Sequence, residues 1–175
     1  MQLFRMSKPT PTIKVMVVDD HDLVRHGIKS LINSQEGIEV IAEASSGEEA
    51  IEQCRALDGE LNIIMMDINM PGMGGMEATR NISKRWPELG IIIVTIHGDG
   101  PLPKKLLKGG AKGYPSKGNN IEEITQAIRD VYAGGNYIAK DIAQNLALSL
   151  LPGEENIIDR LSQRELQVLM MIAHG

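Results

Sequence analysis

A single cysteine, Cys54, is the whole thiol content of the 175 residues. That excludes an internal disulfide framework and a cysteine-ligated metal cluster, and it makes a reducing compartment, the cytoplasm, the expected location. Cys54 itself reads as a small residue on the buried side of a helix. No apolar run approaches the length of a bilayer crossing, so no membrane span is expected. Residues 1–12 carry Arg5 and Lys8 with no apolar stretch behind them, and no secretory leader is expected there. Positive charge is scarce as well. A net charge of −5 argues against a general nucleic-acid-binding surface and leaves room only for a small basic module at one end. Internal repeats and low-complexity tracts are missing too. What remains is an ordinary globular composition, 42% hydrophobic and 23% charged, long enough for one domain with a proper core and an appendage.

Residues 62–75, from Asn62 through Asp67 and Pro71 to Gly75, organise the rest. An unbroken apolar run, Ile63 to Met66, stops at one carboxylate and passes into a Pro/Gly loop. A run without polar alternation is what a strand covered on both faces requires, and Pro-Gly-Met-Gly-Gly fits only a loop. Asp67 is therefore expected at the carboxyl end of a buried parallel strand, where ligands bind in open α/β sheets.

The same grammar runs along the chain. Ile13–Val18 is a β-branched strand tipped by Asp19 and Asp20, followed by a helix with Asp22 as its N-cap and Leu23, Ile28, Leu31 and Ile32 on one face. Residues 38–44 form a second strand, and Ser45-Ser46-Gly47 opens a second helix. After Asp67 comes a helix from Met76 to Arg85, closed by Trp86-Pro87. Ile91–Ile96 is a fourth strand with the Thr95 hydroxyl near its end. Lys104–Lys108 is a short helix stopped by Gly109-Gly110. Residues 111–117 form a fifth strand, weakened by Pro115 and suited to an edge. Ile121, Ile124, Ile128 and Val131 mark a fifth helix. Five strand–helix alternations give a doubly wound parallel sheet over about residues 12–133. Residues 134–160 read as a linker with a helix from Ile138 to Leu151, and residues 161–175 as one more helix, with Ser162 and Glu165 in capping-box spacing.

Strand ends thus bring together Asp19 and Asp20, Asp67, Thr95 and Lys117. Carboxylates crowded into a crevice repel one another unless a cation relieves them. Mg²⁺ is the natural occupant, since it takes oxygen ligands and commonly binds through one or two carboxylates plus a phosphate. Lys117 and Thr95 would then supply the charge and hydrogen bond that a phosphoryl group on Asp67 needs, and aspartate is a known type of covalent acceptor.

These residues carry a resemblance. The Val-Asp-Asp-His-Asp tip, the Met-Asp-Ile-Asn-Met-Pro-Gly-Met-Gly-Gly loop, Thr95 and Gly-Tyr-x-x-Lys-Gly resemble the receiver domain of two-component response regulators. Leu-Ser-x-Arg-Glu-Leu-x-Val-Leu-x-x-Ile-Ala-x-Gly at 161–175 resembles the start of the LuxR/NarL-type helix-turn-helix domain. The Thr-Ile-His-Gly-Asp-Gly-Pro-Leu-Pro stretch and the Tyr-Ile-Ala-Lys-Asp-Ile-Ala-Gln linker are similar to GacA/UvrY/LetA-type regulators. The resemblance implies a flavodoxin- or CheY-like five-stranded sheet in order 2-1-3-4-5. It implies Asp67 as phosphoacceptor, Asp19, Asp20 and Asp67 with the Asn69 backbone carbonyl around Mg²⁺, Lys117 on the phosphate, and Thr95 and Tyr114 as a switch pair whose ring turns inward on phosphorylation. Its implied partners are a sensor histidine kinase of the tripartite BarA/GacS kind, a second copy of the chain on phosphorylation, and promoter DNA for a full-length protein. Residues 161–175 correspond only to the first helix of the DNA-binding module, so these 175 residues are expected not to recognise DNA. Two features depart from the family pattern. Pro115 stands where an apolar strand residue is usual, and glycines 98, 100, 109, 110, 113 and 118 suggest a mobile switch face.

Two rival readings use the same fold. A haloacid-dehalogenase-like phosphohydrolase would place its nucleophile on the first strand, in Asp20-His-Asp22, but needs further carboxylates at a late strand end that offers Thr95 and His97. A flavin-binding domain would set its cofactor phosphate against two carboxylates. His21 and His97 receive no role.

Overall fold

The computed structural model describes residues 11–94, 102–116 and 120–148. In chain order they form β1 (Ile13–Val18), α1 (Asp22–Asn33), β2 (Ile38–Ala44), α2 (Gly47–Ala56), β3 (Ile63–Met66) and α3 (Gly74–Arg85), then β4 (Gly90–Ile93), α4 (Leu102–Lys108), β5 (Gly113–Tyr114), α5 (Ile121–Tyr132), β6 (Tyr137–Ile138) and α6 (Lys140–Leu148). All strand pairs are parallel, in the order β2-β1-β3-β4-β5-β6.

The apolar runs behave as their composition requires. In a strand successive side chains point to opposite faces, so each run feeds two cores. Met16, Val18, Ile64, Met66, Ile91 and Ile93 enter one, packed with Ala50, Cys54, Ala78, Ile82, Leu106 and Ile142 from α2, α3, α4 and α6. Val15, Val17, Ile63, Met65 and Ile92 enter the other, with Ile32, Ile124, Ala127, Ile128 and Val131 from α1 and α5. Both faces are dry, and Cys54 is core as expected, its thiol pushed up to about 12 by burial. Trp86 ends α3, with the Arg85 guanidinium 5.0 Å from its ring centroid.

The sheet has six strands, not the five expected. β6 is two residues long, too short to show a period, and its residues read instead as the lead into a helix. Backbone bonds settle it: Tyr137 N donates to Lys112 O at 2.9 Å and Ala139 N to Tyr114 O at 2.9 Å. With β6 added, β5 is an inner strand rather than the edge expected, and Pro115 is accommodated because β5 stops at Tyr114, so no ladder bond is asked of the proline. α6 then lays Ile142 and Leu146 onto the same core as Leu106 and Tyr114. The fragment at 161–175 lies outside the described residues.

Local details also differ. α1 begins at Asp22, with His21 as N-cap and no side-chain cap bond, so Asp22 is not the cap. α2 opens at Gly47 as expected and is capped by Ser46, which accepts from Glu49 N, while the Glu49 carboxylate accepts from Ser45 N at 2.6 Å. Among the flagged glycines, Gly109 and Gly113 mark tight packing. Ser83 Oγ donates to Gly109 O at 2.7 Å, and a Cβ on Gly113 would come 2.7 Å from Ile92 Cγ1. Gly98, Gly100 and Gly118 lie outside the described residues. No helix among the described residues is long and apolar enough to cross a membrane.

Candidate functional site

The sheet register assembles the acidic site. Val18 of β1 pairs with Met66 of β3, so the next residues, Asp19 and Asp67, leave the sheet side by side. Asp67 N donates to Val18 O at 2.9 Å, and Asp19 N to Ala44 O at 3.1 Å, which anchors both acidic tips to neighbouring strands. The ends of the apolar runs therefore fix where the carboxylates stand.

Asp19 is buried, and Asp20 and Asp67 are half-buried. The Asp67 carboxyl is pushed up to about 7, first by burial and then by the charge of Asp19, with Asp20 adding to it. The amides of Ile68 and Asn69 point at the same carboxylate and pull the other way. The tightest cluster, with ligand atoms within 4.8 Å of one another, is Asp19, Asp20 and His21, and Asp67 is not one of its members. His21 Nδ1 lies 3.2 Å from Asp19 Oδ1 and 3.1 Å from Asp20 Oδ1, and its backbone N–H donates to Asp19 Oδ1 at 2.8 Å. The Asp20 charge, then the Asp19 hydrogen bond and charge, raise the His21 pKa. His21 thus occupies a cationic position that the sequence reading left without a role. Its side chain is 68% exposed.

The loop after Asp67 is held from behind. Gly75 N donates to Ile68 O at 3.1 Å, and a Cβ on Gly75 would overlap Asp67 O and stand 2.7 Å from Ile68 Cα. From α2, the Glu48 carboxylate accepts from Met73 N at 3.0 Å. Beneath the first loop, Arg25 Nη1 donates to Asp19 O at 2.7 Å. None of these three residues was singled out from the sequence. Gly75 lay in plain view as the last residue of the Gly loop, whereas Glu48 and Arg25 act through contacts that no local pattern encodes.

The remaining site residues divide. Asn69 follows Asp67 closely, as its amide contact shows. Tyr114 is on β5 and 1% exposed, within the core that α6 helps to form, so its ring is already inside. Behind it, Glu123 accepts from Ser116 Oγ at 2.6 Å and Ser116 N at 2.9 Å, and from Tyr137 Oη at 3.3 Å, tying the end of β5 to α5 and β6. Thr95 and Lys117 lie outside the described residues, as does His97.

Comparison with known proteins agrees with this geometry. Residues 15–129 match the family model of the response regulator receiver domain. The chain is a two-component response regulator. It is 47% identical over 165 residues to the response regulator UvrY of Escherichia coli, covering 93% of this chain and 75% of the relative. To the response regulator GacA of Pseudomonas aeruginosa it is 44% identical over 164 residues, covering 93% and 76%. A crystal structure of a LuxR-family response regulator from Aurantimonas superposes with a TM-score of 0.73 at 38% identity, over 79% of this chain and 97% of that one. The regulator is thus a signalling protein of the LuxR/NarL kind, and nothing in these likenesses favours the phosphohydrolase reading.

Receiver domains bind Mg²⁺ through acidic residues, and the regulator's residues fit such an ion. Its donors are hard oxygens. Asp20 Oδ1 is buried and accepts no hydrogen bond among the described residues, with only the exposed His21 ring 3.1 Å away, and the Asp67 carboxyl is pushed up by burial and then by the charges of Asp19 and Asp20. A divalent cation would relieve the crowded charges of all three carboxylates.

Proposed function

We propose that Asp67 is the phosphoacceptor of this regulator, that Asp19, Asp20 and Asp67 with the Asn69 carbonyl hold Mg²⁺, and that Lys117 and Thr95 receive the transferred phosphoryl group. One observation carries the reading: Asp67 stands at the sheet edge beside Asp19, with two backbone amides aimed at its carboxylate and a pKa raised by burial and charge. Mg²⁺, when bound, neutralises charge on the phosphoryl oxygens and on the acids. The chain's own residues do the rest. An Asp67 oxygen attacks the phosphorus of a phosphohistidine, the new P–O bond forms as the P–N bond breaks, and the imidazole leaves with the electron pair. Asp67 must be ionised to attack, so relief of the Asp19 repulsion also prepares the nucleophile.

The wider reading follows the resemblance. Residues 12–133 act as receiver, 134–160 as linker and 161–175 as the opening of a helix-turn-helix domain, in a cytoplasmic protein. The donor is a sensor histidine kinase of the tripartite kind, phosphorylation favours a homodimer, and the helix-turn-helix domain reads promoter DNA. Thr95 and Tyr114 form the switch. Because the Tyr114 ring is already buried, phosphorylation acts by changing what it packs against rather than by bringing it in from solvent.

Incubation with acetyl phosphate tests the reading. Uptake of one phosphoryl group that needs Mg²⁺ and disappears in Asp67→Asn supports it, and uptake by Asp67→Asn contradicts it. Thr95→Ala is expected to keep phosphorylation and weaken the response.

A further inference from the structure

Arg25 sits one turn into α1, and its side chain runs back beneath the β1–α1 loop, the direction helical side chains favour. It is 12% exposed. Three of its nitrogens reach three different parts of the fold. Nη1 donates to the Asp19 carbonyl at 2.7 Å, Nη2 to Asp22 Oδ1 at 2.5 Å, and Nε lies 3.5 Å from Glu43 Oε2 on β2. Glu43 is itself fixed by Lys29 Nζ at 2.5 Å, and that hydrogen bond holds its carboxyl below the usual range against the opposing effect of burial.

The Asp19 carbonyl belongs to the planar peptide that joins Asp19 to Asp20. Holding its oxygen restrains the plane from which the Asp20 Cα hangs, and so narrows the positions open to the Asp20 carboxylate. Asp19 has other anchors, through its N–H to Ala44 O and through the His21 N–H on its Oδ1. Asp20 Oδ1 is buried with no hydrogen bond among the described residues, and beside it stands only the exposed His21 ring at 3.1 Å. The guanidinium is largely neutralised by Asp22 and Glu43, which argues for orientation rather than general charge.

We infer that Arg25 is a positioning residue for the cation site: by gripping the Asp19 carbonyl from a base on α1 and β2, it aims Asp20 at the metal. This rests on the reading of Asp19 and Asp20 as metal carboxylates. Only a planar fork serves three partners at fixed angles, and lysine offers a point charge.

The test is a Mg²⁺ titration of the full chain, followed by the amide NMR signals of Asp20 and Asp67, for the parent, Arg25→Met, Arg25→Lys and Asp20→Asn. Residues that orient metal ligands typically change affinity 10–100-fold, so both Arg25 variants are expected to weaken Mg²⁺ binding by about tenfold or more. Phosphorylation from acetyl phosphate should recover at saturating Mg²⁺, a defect in half-saturation rather than in maximal rate. Arg25→Lys keeps a cation between Asp22 and Glu43 and carries the test if Arg25→Met does not fold. Parent-like affinity in Arg25→Lys, or a rate defect that saturating Mg²⁺ leaves in place, overturns the inference. A Mg²⁺ response in Asp20→Asn that matches the parent's overturns the underlying reading of the site instead, and with it this one.

Discussion

Gly75 lies against the back of Asp67, so close that a β-carbon on it would overlap the Asp67 carbonyl oxygen. The first turn of α3 is thereby pressed onto the peptide that carries the acceptor carboxylate, with Gly75 N bonded to Ile68 O. Backbone stands on both sides of the contact, and neither side can rotate away. Gly75→Ala is expected to destabilise the fold by about 2–3 kcal/mol, the upper part of the range for overpacking, and to remove phosphorylation. Urea unfolding and acetyl phosphate labelling check the two halves separately; an Ala variant with parent stability would show that the loop has room to shift.

Asp67 makes the metal-free domain sensitive to pH. Its carboxyl is raised to about 7 in the folded state and is ordinary in the unfolded chain. Between those two values the folded protein holds a proton that the unfolded chain has lost, so stability falls as pH rises through that window and is level above it. In chelator at pH 8, Asp67→Asn is therefore expected to be more stable than the parent, by at most about 4 kcal/mol. The difference should vanish as pH falls below the ordinary aspartate range. Thermal unfolding at several pH values measures it, and added Mg²⁺ should narrow the gap at pH 8.

How much of this could be read beforehand depended on the reach of each interaction. Apolar runs ending in acids placed β1, β3 and their carboxylates, because a buried parallel strand leaves its signature in consecutive residues. β6 escaped because two residues have no period, and its backbone partners on β5 are more than twenty residues away. Arg25 and Glu48 escaped because their roles lie in one hydrogen bond each to the backbone of a loop. Gly113 was read as looseness, whereas its missing side chain is what lets Ile92 approach.

α6 offers a separate test of the added strand. Its buried anchor is Ile142, in the core shared with Leu106 and Tyr114. Ile142→Ala is expected to release α6 before the rest of the domain. Hydrogen exchange should then rise across residues 140–148 and at the Ala139 amide, while β1 and β3 stay protected. Uniform loss of protection over the whole sheet would mean that α6 is not a separable element.

Borohydride reduction after acetyl phosphate treatment, with peptide mass mapping, locates the phosphoryl group at a single residue. An aspartyl phosphate reduces to homoserine. Homoserine at position 67, dependent on Mg²⁺ and absent from untreated protein, is the predicted result. Homoserine at 19, 20 or 22 with position 67 unmodified would contradict the account.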